Sequence, residues 1–440
     1  MKERIALLTI ITLLLAFLIV FQNYFNTAWA IIFLIGFMFL YSFYMYCVMK
    51  YKKRKLRKNP PIINYGYQPF VSIMIPAHNE AEVIQKTALN ILNLDYKNFE
   101  IILIDDRSDD NTASIMKELE AQHNKIKVLI RPKDATAGKS AVLNDAFKIA
   151  KGEAVLVFDA DAKVKPDFLK NIIPKLEPAD VGAVQARKVI INANQNFLTK
   201  CQNNEYILDS HLQEGRDALR GAVELRGNGE LIKRQALISI NGWNEETIVD
   251  DLDMSTRLHV KGWDIRFCPD IEVYEEGVID FYALIRQRRR WVEGSIRRYL
   301  EYAKDVFTSR DMSLRVGFDL IAYITEFLLP FWLIAEIVIQ AFRFVKGYEN
   351  CILSSIAIVC ATAVFFTCGF IYSLRKYLKI SFVEAFKEAL ITSIYFITIW
   401  FPIAMFIIFK IIFTKKTMDW GKTQHGVCEK CENEIIKKED

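Results

Sequence analysis

Two carboxylates one residue apart, Asp159 and Asp161, close the apolar run Val155-Leu156-Val157-Phe158. A run of this kind reads as a buried strand, and acids at its end lie on the C-terminal edge of a sheet, where open α/β sheets bind ligands. Aspartates at this spacing can present oxygens to one hard divalent cation, which keeps its other positions for water and phosphate oxygens. The same string is common on surface loops; its place after a buried strand gives it weight. If a diphosphate sits there, neighbouring strand edges should supply further contacts, and Asp106 ends another apolar strand. A third acid, free of the metal, must take a proton from an incoming hydroxyl, and Asp251 is the candidate base. Arg290, in the run Arg286-Gln287-Arg288-Arg289-Arg290-Trp291, can stabilise charge on a leaving diphosphate. Trp291 offers a flat face to a sugar or a lipid, although tryptophan is also commonplace at membrane interfaces.

The elements that must position these residues alternate. Residues 70–76, 99–104, 126–130 and 155–157 read as strands, each separated from the next by a helical stretch, and residues 181–189 as one more strand. Ala77-His78-Asn79-Glu80 forms the turn after the first strand. Asp109 or Asn111 caps the helix after the second, and Gly138-Lys139-Ser140 opens the helix through Ile149. This alternation predicts an α/β domain with a parallel, doubly wound sheet. Arg226-Gly227-Asn228-Gly229-Glu230 is either an ordinary turn or a loop that lets backbone approach a ligand. The acids of Val249-Asp250-Asp251-Leu252-Asp253 suit a helix N-terminus, but capping alone does not need so many.

The 440 residues are 52% hydrophobic and 25% charged, so apolar and charged residues must be segregated into blocks. Residues 5–21 and 28–48 read as a transmembrane hairpin, and a cleavable leader is the weaker reading of the first run because no small-residue cleavage site follows. The basic run Lys50 to Lys58 then places the following domain in the cytoplasm, in preference to nuclear import or nucleic-acid binding. A net charge of only +5 likewise argues against a nucleic-acid partner. Residues 281–299 suit an interfacial helix, and three apolar blocks follow at 318–342, 351–373 and 389–413, with a further interfacial helix around Phe386 and Lys387. If each late block crosses once, the tail from Lys415 lies outside, against its positive charge; Pro330 and Pro402 mark the blocks that can be re-entrant or interfacial. The expected organisation is therefore an N-terminal hairpin with basic linker (1–60), a cytosolic domain (61–280), interfacial helices (281–310), a C-terminal membrane region (311–415) and a cytosolic tail (416–440), in a multi-pass protein of the cell membrane. The cysteines form no secreted-type framework, and His425, Cys428 and Cys431 lack an obvious fourth ligand, so a solvated tail is expected.

Four motifs in order, Ile104-Asp105-Asp106-Arg107-Ser108, Asp159-Ala160-Asp161, Val249-Asp250-Asp251 and Gln287-Arg288-Arg289-Arg290-Trp291, resemble those of the membrane-embedded family-2 glycosyltransferases, which include cellulose, hyaluronan and poly-N-acetylglucosamine synthases. The resemblance spans roughly residues 70–300. It implies a GT-A fold and an inverting transfer from a UDP-sugar, aided by Mg2+ or Mn2+. Ala77, His78, Asn79 and Glu80 resemble the loop bordering the nucleotide, Asp106 the residue contacting uridine, and Lys139 the lysine near the nucleotide. Asp159 and Asp161 resemble the pair holding diphosphate and metal, and Asp251 the general base. Gln287, Arg290 and Trp291 are similar to the motif lining acceptor and diphosphate, and Trp420-Gly421-Lys422-Thr423 to a segment near the site in hyaluronan synthases. Two positions depart from the pattern: Asp250 stands where Glu is usual, and Arg107 where a turn glycine is usual. The resemblance implies first a synthase of a β-linked polysaccharide. The alternative is transfer of a sugar to a lipid, diacylglycerol or polyprenyl phosphate, because the Asp-Asp-Leu-Asp and Gln-Arg-Arg-Arg-Trp-Val-Glu-Gly segments also resemble glucosyl-diacylglycerol synthases. An inactive membrane scaffold or sugar-nucleotide sensor is the remote alternative.

Overall fold

The apolar runs Val71–Ala77, Phe99–Asp105 and Ala154–Val157 form strands whose side chains are buried on both faces, as parallel strands covered by helices require. The computed structural model describes residues 2–24, 27–60, 63–347 and 351–416. The strands are β1 (Val71–Ala77), β2 (Phe99–Asp105), β3 (Ile126–Ile130), β4 (Ala154–Val157), β5 (Lys163–Val164), β6 (Val181–Ile190), β7 (Glu230–Lys233) and β8 (Asp264–Glu275). They make one sheet in the order β3-β2-β1-β4-β7-β6-β8-β5. Alternate residues of the central strands point to different cores. Ile73, Ile101 and Leu156 pack with the helices Ile84–Leu92 and Phe168–Leu176 on one face. Met74, Ile102 and Val155 pack with Lys139–Ile149 and Asp250–Val260 on the other. Fully burying each such side chain contributes about 1.5–3 kcal/mol.

The expectation of a parallel, doubly wound sheet holds for β3-β2-β1-β4 and fails beyond it. β7 runs antiparallel to both β4 and β6, β6 and β8 are parallel, and β5 is antiparallel to β8. The sheet is therefore mixed. The four-residue β7 emerges directly from the glycine-bracketed loop, with too little apolar length to be read as a strand locally. Another correction concerns the helix Thr112–Gln122. Neither Asp109 nor Asn111 caps it with a side chain; Asp110 Oδ1 accepts from the Thr112 amide at 2.9 Å.

Two helices link the sheet to the apolar part of the chain: Phe197–Leu219, which packs on β6 and β8, and Phe281–Thr308, which carries the arginine-rich motif. Beyond them lie the helices Lys2–Tyr24, Thr27–Lys58, Leu314–Val345 and Cys351–Leu378. The expected separate interfacial helix around Phe386 is instead continuous with the last apolar block, because residues 396–400 form a π-turn that joins the flanking helices without a break. Among the described residues, this Phe382–Phe413 helix is long and apolar enough to cross a membrane by length and composition. The segments Trp420–Thr423 and His425–Cys431 lie outside the described residues.

Candidate active site

Both aspartates of the opening motif come to the wall of one cavity of about 930 Å3. The loop that carries them is pinned from three sides. The Asp159 amide donates to Asn228 Oδ1 at 3.3 Å, the Thr87 hydroxyl donates to the Ala160 carbonyl at 2.7 Å, and Asp161 Oδ2 accepts from the Glu276 amide at 3.1 Å. Lys139, the first residue of its helix, reaches across the sheet edge to Asp159 Oδ1 at 2.7 Å and the Gly227 carbonyl at 3.0 Å. Burial pushes the lysine pKa down, but the charges of Asp159, Asp250 and Glu230 outweigh it and hold the ammonium above its ordinary range.

Asp251, the second residue of the helix Asp250–Val260, faces the same cavity. Burial first, then the charge of Asp250, pushes its carboxyl up to about 6, close to the working pH that suits a general base. Gly227 has φ 76°, and a Cβ there would come within 3.2 Å of Asp251 Oδ2. A side chain at this position would both strain the backbone and crowd the carboxylate. Glycine is needed again at Gly294 of the arginine-rich helix, where a Cβ would lie 2.2 Å from Val249 Cγ2. That close approach docks the helix Phe281–Thr308 onto the residue preceding Asp250.

Three consecutive arginines point in three directions, because successive helical residues are rotated by about 100°. Arg288 is fully buried against Glu205 Oε2 at 2.9 Å and stacks on Trp291 and Trp400 at 4.2 and 5.8 Å. Arg289 lies over Phe406 at 4.3 Å. Arg290, with Gln287 and Trp291, lines the cavity, and it pairs with no carboxylate among the described residues. Its charge is thus directed at the cavity's contents. Arg290→Ala is expected to lower kcat by about a hundredfold, whereas Arg289→Ala should change it less than about threefold. Steady-state release of nucleoside diphosphate would measure both.

The nucleotide residues expected from sequence divide. His78, Glu80, Lys139 and Asp159 line the cavity; Ala77, Asn79 and Asp106 are not part of its wall. Asp106 is fully buried, with Arg131 Nη1 at 2.6 Å and Arg107 Nε at 2.9 Å. Arg107 has φ 62°, the left-handed conformation for which glycine is the easy choice, and the two hydrogen bonds that its guanidinium donates to the Asp106 carboxylate offset that strain. Asn79, at φ 56°, holds the facing loop by accepting from the Asp109 amide at 2.7 Å.

Several site residues escaped the sequence reading. Lys188, half-buried, pairs with Glu275 at 2.9 Å, and Arg226 is clamped by Asp209 at 2.6 Å; both line the cavity. Glu230 is fully buried, and burial followed by the Asp250 charge drives its carboxyl far above the ordinary range. The glycine-bracketed loop was the available signal for Arg226 and Glu230; nothing local marks Lys188.

A divalent metal fits this set. Asp159 and Asp161 supply hard oxygen donors, and the surrounding carboxylates leave Glu230 Oε1 and Asp250 Oδ2 buried without hydrogen-bond partners. A cation held here would offset the repulsion between these aspartates and a diphosphate. Among the described residues no three His, Cys, Asp or Glu side chains are grouped to hold a metal on their own, so phosphate oxygens would complete its shell.

The mixed sheet with these carboxylates at its edge is the GT-A architecture of glycosyltransferases. A mannosyltransferase from Pyrobaculum calidifontis, solved in complex with GDP-Man and Mn2+, shares the fold, with a TM-score of 0.57 over 82% of this chain and 98% of that one at 19% identity. A family profile described as "Glycosyltransferase like family 2" matches residues 68–294. The chain belongs to the family-2 glycosyltransferases and is an enzyme of that class. It is similar to the beta-monoglucosyldiacylglycerol synthase of Trichormus variabilis, at 43% identity over 319 residues, 72% of this chain and 67% of that protein. The enzyme of the same name from Synechocystis sp. is 34% identical over 368 residues, 81% of this chain and 75% of that protein. These relatives are named for lipid glycosylation, so the expected polysaccharide-synthase type finds no support among them.

Proposed function

We propose that this enzyme transfers one glucose from UDP-glucose to diacylglycerol, with inversion, at the cytoplasmic face of the membrane. The observation that carries this reading is the polarity of the cavity, which has acids and cations at the sheet edge and Phe37, Met45, Phe365 and Phe366 at the far end. A diacylglycerol has the same gradient, with its hydroxyl at the polar end. In this reading Asp251 takes the proton from that hydroxyl, which attacks the anomeric carbon from the face opposite UDP. Lys139 and Arg290 face the diphosphate, and Mg2+ or Mn2+ at Asp159 and Asp161 would neutralise the leaving charge when bound. His78 and Glu80 border the nucleotide, with Asp106 anchoring the loop behind them. Purified protein given labelled UDP-glucose and diacylglycerol should yield an organic-soluble product bearing one sugar. A water-soluble polymer would refute the proposal.

The same reading sets four helices across the membrane and the last along its cytoplasmic interface. Phe382–Phe413 is 32 residues, about 48 Å at 1.5 Å per residue, and it is tied at both ends to the catalytic unit. Glu388 pairs with Lys200 at 2.5 Å and Thr392 accepts from Asn204 at 3.0 Å. At the other end, Lys410 pairs with Glu293 at 2.6 Å and Lys416 approaches Glu301 at 3.8 Å. A helix crossing a hydrocarbon core of about 30 Å has only one end on that side. Four crossings return the basic tail to the cytoplasm, in accord with its charge. A green fluorescent protein fused after Asp440 should therefore fluoresce, and an alkaline phosphatase fused there should be inactive; the opposite pattern means that this helix crosses.

A further inference from the structure

The cavity does not end where the chemistry ends. Beyond Trp291 it continues between the helices Thr27–Lys58, Leu314–Val345 and Cys351–Leu378, where its wall becomes aromatic and aliphatic. Its total volume of about 930 Å3 is near the upper end for a small-molecule site, more than a sugar nucleotide's diphosphate end needs. Gly369 lies on this wall, and a Cβ built there meets no atom within 4 Å. A glycine inside a helix costs roughly 1 kcal/mol relative to alanine in a helix interior, and here it leaves open space instead of allowing a close approach. One turn further on, Tyr372 meets Tyr46 at 5.4 Å and His211 at 5.0 Å, and His211 Nδ1 is buried without a hydrogen-bond partner. Burial first, and then the Lys376 charge, lower the His211 pKa to about 4, so the ring is neutral and can meet an uncharged polar group. The arm thus has apolar walls, a neutral polar ring beside them and a gap at Gly369.

We propose that this arm receives the acyl chains of the acceptor, and that Gly369 keeps it open and so determines the chain length the enzyme accepts. The inference rests on the lipid-acceptor reading and adds to it the place where the chains lie. Chains laid between these helices would hold the glycerol hydroxyl toward Asp251, at the other end of the same cavity, while UDP-glucose binds at the sheet edge without entering the arm. A bulkier residue at Gly369 would then discriminate between acceptors and leave the donor alone. Removing a ring from the same wall one turn earlier, as in Phe366→Ala, would do the reverse.

The test uses the full-length protein in mixed micelles with UDP-glucose and either dioctanoylglycerol or dioleoylglycerol. Gly369→Leu is expected to raise KM for the long-chain lipid about tenfold relative to the short-chain one, with KM for UDP-glucose unchanged. Phe366→Ala should move the ratio the other way, which keeps the test decisive if Gly369→Leu does not fold. Equal chain-length ratios in wild type and both folded variants overturn the assignment of the arm. Wild-type protein that glucosylates neither lipid overturns the lipid-acceptor reading itself.

Discussion

Asp251→Asn is expected to lower kcat about a thousandfold while the affinity for UDP-glucose stays within about twofold. The amide matches the carboxylate in shape, so the packing against Gly227 and the helix start is kept, but it cannot accept the proton of an attacking hydroxyl. Nucleotide binding by calorimetry and turnover by release of UDP separate the two effects. The pH profile provides an independent reading. Because burial and Asp250 push Asp251 up to about 6, the base is lost to protonation as pH falls through that value, and kcat/KM should fall with it. Asp250→Asn removes a neighbouring negative charge, which lowers the Asp251 pKa and moves the acid limb to lower pH. If Asp251→Asn keeps a tenth of the wild-type rate, another group is the base.

The second large effect is on stability. Glu224 is buried among Arg298 at 2.7 Å, Arg226 at 3.0 Å and Arg216 at 3.4 Å. Burial alone would raise its pKa, but the three guanidinium groups outweigh it and hold the carboxyl well below the ordinary range. A depressed carboxylate pKa contributes stability above the unfolded value, and that contribution is lost only as pH falls through the folded one. It is therefore intact at neutral pH. Glu224→Ala leaves the buried Arg298 and Arg216 and the half-buried Arg226 without their shared anion, which costs about 3–5 kcal/mol. A fall in Tm of about 10 °C in detergent is expected. The same cluster touches both the helix Leu314–Val345 and the helix that carries Asp251: Arg216 also approaches Asp319 at 3.5 Å, and Arg298 Nη1 donates to the Leu252 carbonyl beside Asp251 at 3.2 Å. Turnover should consequently fall further than Tm predicts. An unchanged Tm would mean that the cluster is not held together by this carboxylate.

Local pattern was sufficient for a good part of this enzyme. The strands ending at Asp106 and Asp159, the helix opening at Lys139, the acidic helix start at Asp251 and the amphipathic arginine-rich helix are all written in periods of two or 3.6 residues, because a strand or helix buries one set of side chains whatever lies opposite. The motifs they carry pointed to the family and to a lipid or polymer acceptor. Other features depend on which distant segments meet. The reversal at β7, the pairing of Lys139 with Asp159, the burial of Glu230 and the burial of Arg288 against Glu205 all arise from contacts between residues far apart in the chain. The last helix makes the contrast plain. Its composition alone describes a membrane span, while the ion pairs at its two ends, to Lys200 and Glu293, fix it beside the catalytic unit. Hydropathy measures what a helix can dissolve in, and only its tertiary partners determine which surface it lies against.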